Sequence, residues 1–240
     1  SMTPELILLE PADDADLPAG EFSDWLSRMI RAIHGDQEGD GEGVGGSDVP
    51  CGDCDACCRS GYFINLKPSD TDARRRIPAA LLFDAPGAPT VHQVLGYDEA
   101  GRCPMLDSAG CKIYVDRPQT CRTYDCRIFA ATGIAESAVE KADVTARAGR
   151  WRFSYRDDES RALHQLLKTG TRVLVDLQQS DGASELPRTA TQLALLAVQL
   201  QGQFRALAPL LARRDEADAK AALHARLLEA VRGLVVAPKP

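Results

Sequence analysis

Cys51, Cys54, Cys57 and Cys58 stand within eight residues of one another, and Cys103, Cys111, Cys121 and Cys126 follow. No cysteine lies outside residues 51–126 of the 240-residue chain. A free cysteine ordinarily behaves as a small buried hydrophobe, so this density points to disulfides, a bound metal or redox chemistry. Thiolate is a soft ligand, and tetrathiolate sites suit zinc or iron–sulfur clusters. Cys51, Cys54 and Cys57 form a Cys-x2-Cys-x2-Cys run, the spacing used in [4Fe–4S] binding with a fourth ligand from elsewhere. A zinc site instead takes a Cys-x2-Cys pair from each of two knuckles. The side chains of the adjacent Cys57 and Cys58 diverge, so Cys58 serves a second metal, caps a cluster or stays free. Eight thiols divide into two tetrathiolate sites, or into one cluster plus non-ligand thiols.

Charge and composition narrow the setting. The net charge is −7, but residues 1–50 carry twelve acidic and two basic side chains, while residues 131–240 carry thirteen acidic and sixteen basic. An acidic chain without a concentrated basic stripe is a poor nucleic-acid binder, because such binding neutralises phosphates. Ser1 before Met2 reads as a remnant of tag removal, and Leu6–Leu9 is too short for the apolar core of an export signal. The longest apolar stretch, from Leu193 to Val198, does not span a bilayer. The expected compartment is the reducing cytoplasm, which argues against structural disulfides and for metal or redox use. His34, His92, His164 and His224 are isolated in sequence and read as surface or packing residues. No GxxxxGK[ST] or GxGxxG phosphate-binding run is present.

The order Cys51-x2-Cys54-x2-Cys57-Cys58, Cys103-Pro-Met-Leu, Cys111-Lys-Ile-Tyr-x2-Arg117-Pro118-x2-Cys121-Arg122-x-Tyr124-x-Cys126 resembles the CxxCxxCC (YkgJ-type) cysteine cluster family, described as zinc- or iron-chelating. The resemblance covers residues 50–130. The family is similar to the cysteine-rich part of flagellin lysine N-methylases, which implies a [4Fe–4S] centre rather than a particular activity. All eight cysteines are therefore candidate metal ligands. Arg117 and Arg122 flank Cys121 and suit offsetting the negative charge of a thiolate-bound centre, or pairing with Asp116 and Asp125. Tyr114 and Tyr124 suit packing over the site against water, or filling the small core. Asp53, Asp55 and Asp125 read as turn formers before oxygen ligands.

The elements that must hold these residues can be followed along the chain. Ser23–His34 carries Trp25, Leu26, Met29, Ile30 and Ile33 at helical spacing, with Ser23 as its cap. Residues 35–49 are glycine- and acid-rich and read as a flexible linker. Phe63–Leu66 reads as a strand, Thr71–Ile77 as a helix capped by Ser69 or Asp70 with Arg74–Arg76 in its last turn. Val91–Tyr97 and Cys111–Val115 read as strands, separated by turns at Asp98–Gly101 and Asp107–Gly110. Tight turns beside cysteines leave backbone N–H groups free for sulfur. Asp116 and Pro118 read as the cap and first turn of a helix leading to Cys121. Helices are expected at 136–148, 157–179, 187–211 and 214–233, with Pro209 ending or kinking the third.

The expected fold class is α+β, predominantly helical: an N-terminal helix and acidic linker over 1–49, a cysteine-rich metal domain with short strands over 50–130, and a helical domain over 131–240. The expected function is that of a cytoplasmic metal-binding protein. Its thiols hold an iron–sulfur cluster, [4Fe–4S], or zinc, for redox or group-transfer chemistry of the oxidoreductase or methyltransferase kind. The alternatives are a structural zinc scaffold and a metal chelation or delivery protein. A partner protein or small molecule is left open, and neither membrane nor nucleic acid is expected.

Overall fold

A computed structural model of the chain describes residues 6–34, 49, 52–84, 92–180 and 185–236. The expected linker at 35–48, the Val91 end of one expected strand, and Cys51 lie outside the described residues. The chain opens with β1 (Leu6–Leu8), β2 (Leu17–Glu21) and α1 (Phe22–His34). Then come β3 (Ile64–Leu66), α2 (Thr71–Arg76), β4 (Leu82–Asp84), β5 (Gln93–Leu95), β6 (Leu106–Asp107), β7 (Gly110–Cys111) and α3 (Gln119–Thr123). Next are α4 (Arg127–Thr132), β8 (Ile134–Glu136), α5 (Ala142–Gly149) and β9 (Trp151–Ser154). The helices α6 (Asp158–Gln179), α7 (Ala190–Gln199), α8 (Gln201–Ala206), α9 (Ala208–Ala212) and α10 (Ala217–Val236) complete it. The fold is α+β and predominantly helical. No helix among the described residues is long and apolar enough to cross a membrane.

The chain forms two compact units. One comprises Ser1–Gln37, Arg127–Ser137 and Ala148–Pro240, the other Glu38–Cys126 and Ala138–Arg147. The first unit is built on α6. The Asp157 carboxylate accepts from the Ser160 N–H at 2.7 Å and caps the helix, which then buries Leu167, Val173, Leu174 and Leu177. Gly170 faces the ring of fully buried Phe204, and a Cβ there would lie 2.5 Å from it.

Several elements depart from the periodicity of the sequence. The strands β2 and β9, which pair in parallel, carry no alternating pattern that announces them. The helix expected from 136 begins only at Ala142, because Ile134–Glu136 pair with Leu6–Leu8 as an antiparallel ladder. The single helix expected over 187–211 is three, α7 to α9, with Gly202 and Pro209, both weak helix formers, just after the two breaks. Pro209 sits in the first turn of α9, where its missing N–H is not needed.

Ser23 is not the cap of α1. The Glu21 carboxylate accepts from the Asp24 N–H at 2.8 Å instead, and the Ser23 hydroxyl donates to Ser160 Oγ at 2.9 Å. Glu21 also accepts from Ser160 Oγ at 2.5 Å and from Arg156 at 2.8 Å. Burial works to raise its carboxyl, but these donors, Arg156 foremost, hold it well below the usual range. His164 is a satisfied core residue. Its ring stacks on Phe22 at 4.3 Å, Nδ1 meets the Tyr155 hydroxyl at 2.7 Å, and Nε2 meets the Ala130 carbonyl at 3.2 Å. Burial, with Lys168 adding to it, pushes its pKa down to about 4.

The second unit carries a three-stranded antiparallel sheet of order β3-β5-β4, with Leu95 opposite both Ile64 and Leu82. Its core is Leu66, Ala73, Ile77, Leu95, Met105 and Ile113. Asp70 stands at the N-terminus of α2, and its carboxylate accepts from the Lys67 and Gln119 N–H groups at 2.7 and 2.8 Å, tying the start of α3 to that of α2. The strand expected over 111–115 stops at Cys111. Beyond it the chain curls, with Tyr114 N–H on Cys111 O at 3.2 Å and Asp116 N–H on Ile113 O at 2.9 Å. The helix leading to Cys121 starts after Pro118, not at Asp116, which pairs with Arg76 at 3.0 Å.

Gly170→Ala forces the α6 backbone away from Phe204. It is expected to destabilise the protein by about 1–3 kcal/mol, read as a lowered midpoint in chemical denaturation. Acid has two effects. Between an unfolded pKa of about 6.5 and a folded value of about 4, the unfolded chain binds a proton at His164 that the native one refuses. Stability therefore falls as pH drops through that window. The contribution of Glu21 is present above its unfolded pKa of about 4.3 and is lost on further acidification. Denaturation midpoints measured from pH 8 downward should decline below about 6.5 and again below about 4.3, and His164→Gln should flatten the upper decline.

Candidate metal centre

The first cysteine block is set by a single 3-10 turn, Ala56–Arg59, which places Cys57 and Cys58. The Asp55 carboxylate accepts from Arg59 Nε at 2.7 Å, so Asp55 serves the turn. The Ser60 hydroxyl donates to Ala56 O at 2.7 Å and closes it. The second block is joined to the first through backbone. Cys103 N–H donates to Cys58 O at 2.7 Å, and Gly61 N–H to Gly101 O at 2.8 Å, with Gly61 at φ 58°. The Asp98 carboxylate holds that turn by accepting from Ala100 and Arg102 N–H at 2.9 and 2.8 Å. The β6–β7 hairpin puts Cys111 opposite Leu106, and Lys112 N–H returns to Met105 O at 2.9 Å. The Met105 N–H hydrogen-bonds the Cys103 sulfur. Cys121 lies in α3 and Cys126 just beyond it.

Cys54, Cys57, Cys58, Cys103, Cys111, Cys121 and Cys126 all line one cavity of about 360 Å³. Among the described residues all seven are free thiols. Tyr114, Arg117 and Tyr124 line the same cavity, whereas Arg122 does not. Its guanidinium donates to the carbonyls of Arg117 at 2.7 Å and Val115 at 3.4 Å, bracing the loop between Cys111 and Cys121. Arg117 lies 3.6 Å from the centroid of the Tyr114 ring, with Nε on the Tyr114 carbonyl at 2.8 Å.

Electrostatics ties the thiols together. The adjacent Cys57 and Cys58 side chains meet rather than diverge as expected: Cys57 is drawn down to about 7, first by the hydrogen bond from the Cys58 thiol and further by backbone N–H groups and the charge of Arg117. Cys58 is pushed up by holding that bond, by burial, and by the negative charge of Cys57, Cys103 and Cys111. Cys121 is pushed up to about 12 by burial and by the same three neighbours, against the opposing charge of Arg117. Burial, then Cys111 and Cys57, raise Cys103 as well. Each thiolate thus opposes the next, and a cation among them would reverse the sign of that effect.

Two contributors carry no signal in the local sequence. The Tyr62 and Tyr124 hydroxyls meet at 3.0 Å with ring centroids 5.4 Å apart, and burial holds the Tyr124 phenol well above its usual pKa. Lys141 donates from Nζ to the carbonyls of Ser60 at 2.6 Å and Gly61 at 2.9 Å, and lies 3.7 Å from the centroid of Tyr62. Beside it the Val144 N–H donates to Ser60 Oγ at 3.2 Å. This fixes the peptide groups immediately after the Cys57–Cys58 pair. Neither residue belongs to a cysteine spacing, so only three-dimensional contact reveals them.

The donor set fits a thiophilic metal: seven sulfurs, with Asp53 and Asp55 as the carboxylates on the cavity wall and Leu95, Met105 and Ile113 behind it. Among the described residues, which exclude Cys51, no three Cys, His, Asp or Glu side chains are gathered as one ion would gather them. No curated protein and no solved structure matches the chain. Residues 50–146 match the family model CxxCxxCC, described as "Putative zinc- or iron-chelating domain". That match covers the stretch that carries the cysteines of the thiol cavity.

Proposed function

We propose that the cysteines of the CxxCxxCC domain hold an iron–sulfur cluster, [4Fe–4S], in a cytoplasmic protein of redox or group-transfer chemistry. The observation that carries this reading is the convergence of seven free thiols on one cavity. The Cys51, Cys54, Cys57 run supports a cluster over a lone ion. Cys103, Cys111, Cys121 and Cys126 supply the closing ligands, with Cys58 beside the first block. A reducing compartment suits seven thiols without a disulfide.

The chain's own groups have separable tasks. Arg117 offsets thiolate charge at Cys57 and Cys121. Met105 N–H stabilises the Cys103 sulfur. Tyr124 lines the cavity and limits water there, and Tyr114 lines it too but is 53% exposed. The cluster, when bound, supplies electron transfer or an open iron for a substrate group. A structural zinc site is the second reading, favoured by the hairpin that carries Cys111 close behind Cys103, a knuckle of the zinc-ribbon kind.

Elemental analysis and a visible spectrum of anaerobically purified protein separate the two. The cluster reading expects iron and sulfide with absorbance near roughly 400 nm. A colourless protein with stoichiometric zinc and no iron sinks it. Cys111→Ser should lower the bound metal, and chelation of the wild-type protein should lower its melting temperature, because metal affinity is folding free energy in so small a core. Lys141→Met keeps the stem over Tyr62 but removes the donors to Ser60 and Gly61. It should speed metal loss to a chelator by about tenfold, the cost of one charge-assisted hydrogen bond, while Lys141→Arg restores most of the retention.

A further inference from the structure

The first unit contains a cavity of about 520 Å³ that the thiol chemistry does not use. It is the size of an ordinary small-molecule site. Its floor is aliphatic: Leu6, Ile7 and Leu8 of β1, with Ile134 from the paired strand and Leu223 from α10. Ile7 and Leu8 are 39% and 45% exposed, a high exposure for aliphatic side chains on a two-stranded sheet. Around this floor stand Arg172 of α6, Arg214 of the turn before α10, and Lys220 of α10.

None of these three cations forms an ion pair among the described residues, although Asp176 and Asp215 line the same cavity. His224 lines the cavity as well, so a ligand there changes the surroundings of its ring.

We propose that this cavity binds a small amphipathic carboxylate, its head held by Arg172 and Lys220 near His224 and its aliphatic body on the β1 floor. The charges select the head group. Three cations against two carboxylates leave one net positive charge, which a monoanion neutralises and a phosphate dianion overfills. Arginine and lysine donate charge-assisted bonds to a carboxylate, and the aliphatic floor gains from covering Ile7 and Leu8. This site is independent of the metal centre and stands or falls without it.

The test uses the full chain with octanoate as the probe, followed by calorimetry and by the ring resonances of His224, alongside octanol and inorganic phosphate. Octanoate should bind and shift the His224 resonances. The double variant Arg172→Gln, Lys220→Gln should weaken it by at least about tenfold, and Ile7→Ser should weaken it by several-fold. These side chains are on the surface, and unchanged melting temperatures confirm that the variants fold. Absence of octanoate binding overturns the proposal. So does undiminished binding by the double variant, or binding without any change at His224. Equal affinity for octanol removes the carboxylate head from it, and equal affinity for phosphate removes the aliphatic body; either result rejects an amphipathic carboxylate.

Discussion

Crowded sulfur is the constraint on which the cysteine unit depends. Burial and the charge of neighbouring thiols raise Cys58, Cys103 and Cys121, while Cys57, with Cys58 donating to it and Arg117 nearby, is drawn downward. Thiols that oppose one another's ionisation do not draw their segments together, so the backbone must. The Cys103 N–H on Cys58 O, the Gly61 N–H on Gly101 O and the Lys112 N–H on Met105 O bring distant segments together through main chain alone. The thiols are then carried along by the turns they belong to. The short apolar core of Leu66, Leu95, Met105 and Ile113 completes the frame on one side.

That division of labour explains what the sequence revealed. Cysteine spacing is local chemistry and needs no fold to be read, so the thiol block and its family were legible from residues alone. The turns at Asp98 and Asp107 were legible for the same reason, because an aspartate that accepts from the N–H groups two and four residues on leaves a compositional trace. The long helix α6 lies almost as expected over 157–179, and the structure adds its Asp157 cap. The short strands β3 and β5 fall inside the expected Phe63–Leu66 and Val91–Tyr97, but a ladder such as Leu17–Glu21 on Trp151–Ser154 was not legible, since it depends on a partner more than a hundred residues away. The same holds for Glu21, which took the capping role expected of Ser23 because Arg156 and Ser160 hold its carboxylate in place.

The motif residues other than cysteine sort by what they touch. Tyr114, Arg117 and Tyr124 face the thiol cavity, while Arg122 spends its donors on the carbonyls of Val115 and Arg117. Two arginines flanking one cysteine thus do different work. One supplies charge that the sulfurs respond to, and the other holds the loop that presents it. Arg117 stands four residues before Cys121 and Arg122 one after it, and spacing alone does not say which of them faces the sulfurs. The direction in which each side chain leaves the loop decides between them.

The boundary of the cysteine unit is where these lines of reasoning meet. Composition changes from cysteine-bearing to helical near residue 130, yet Ala138–Arg147 packs with the cysteines, and the family match runs to residue 146. The physical link is Lys141, whose ammonium gathers the carbonyls of Ser60 and Gly61 from eighty residues away. Those carbonyls follow directly on the turn that carries Cys57 and Cys58. A lysine in that position counters two adjacent peptide dipoles that would otherwise point together without a donor. The segment between the two crossings, Arg127–Ser137, belongs to the other unit, so the cysteine fold closes only after the chain has left it and come back. A fragment ending at residue 130 would keep every thiol and lose the clamp that fixes the first block.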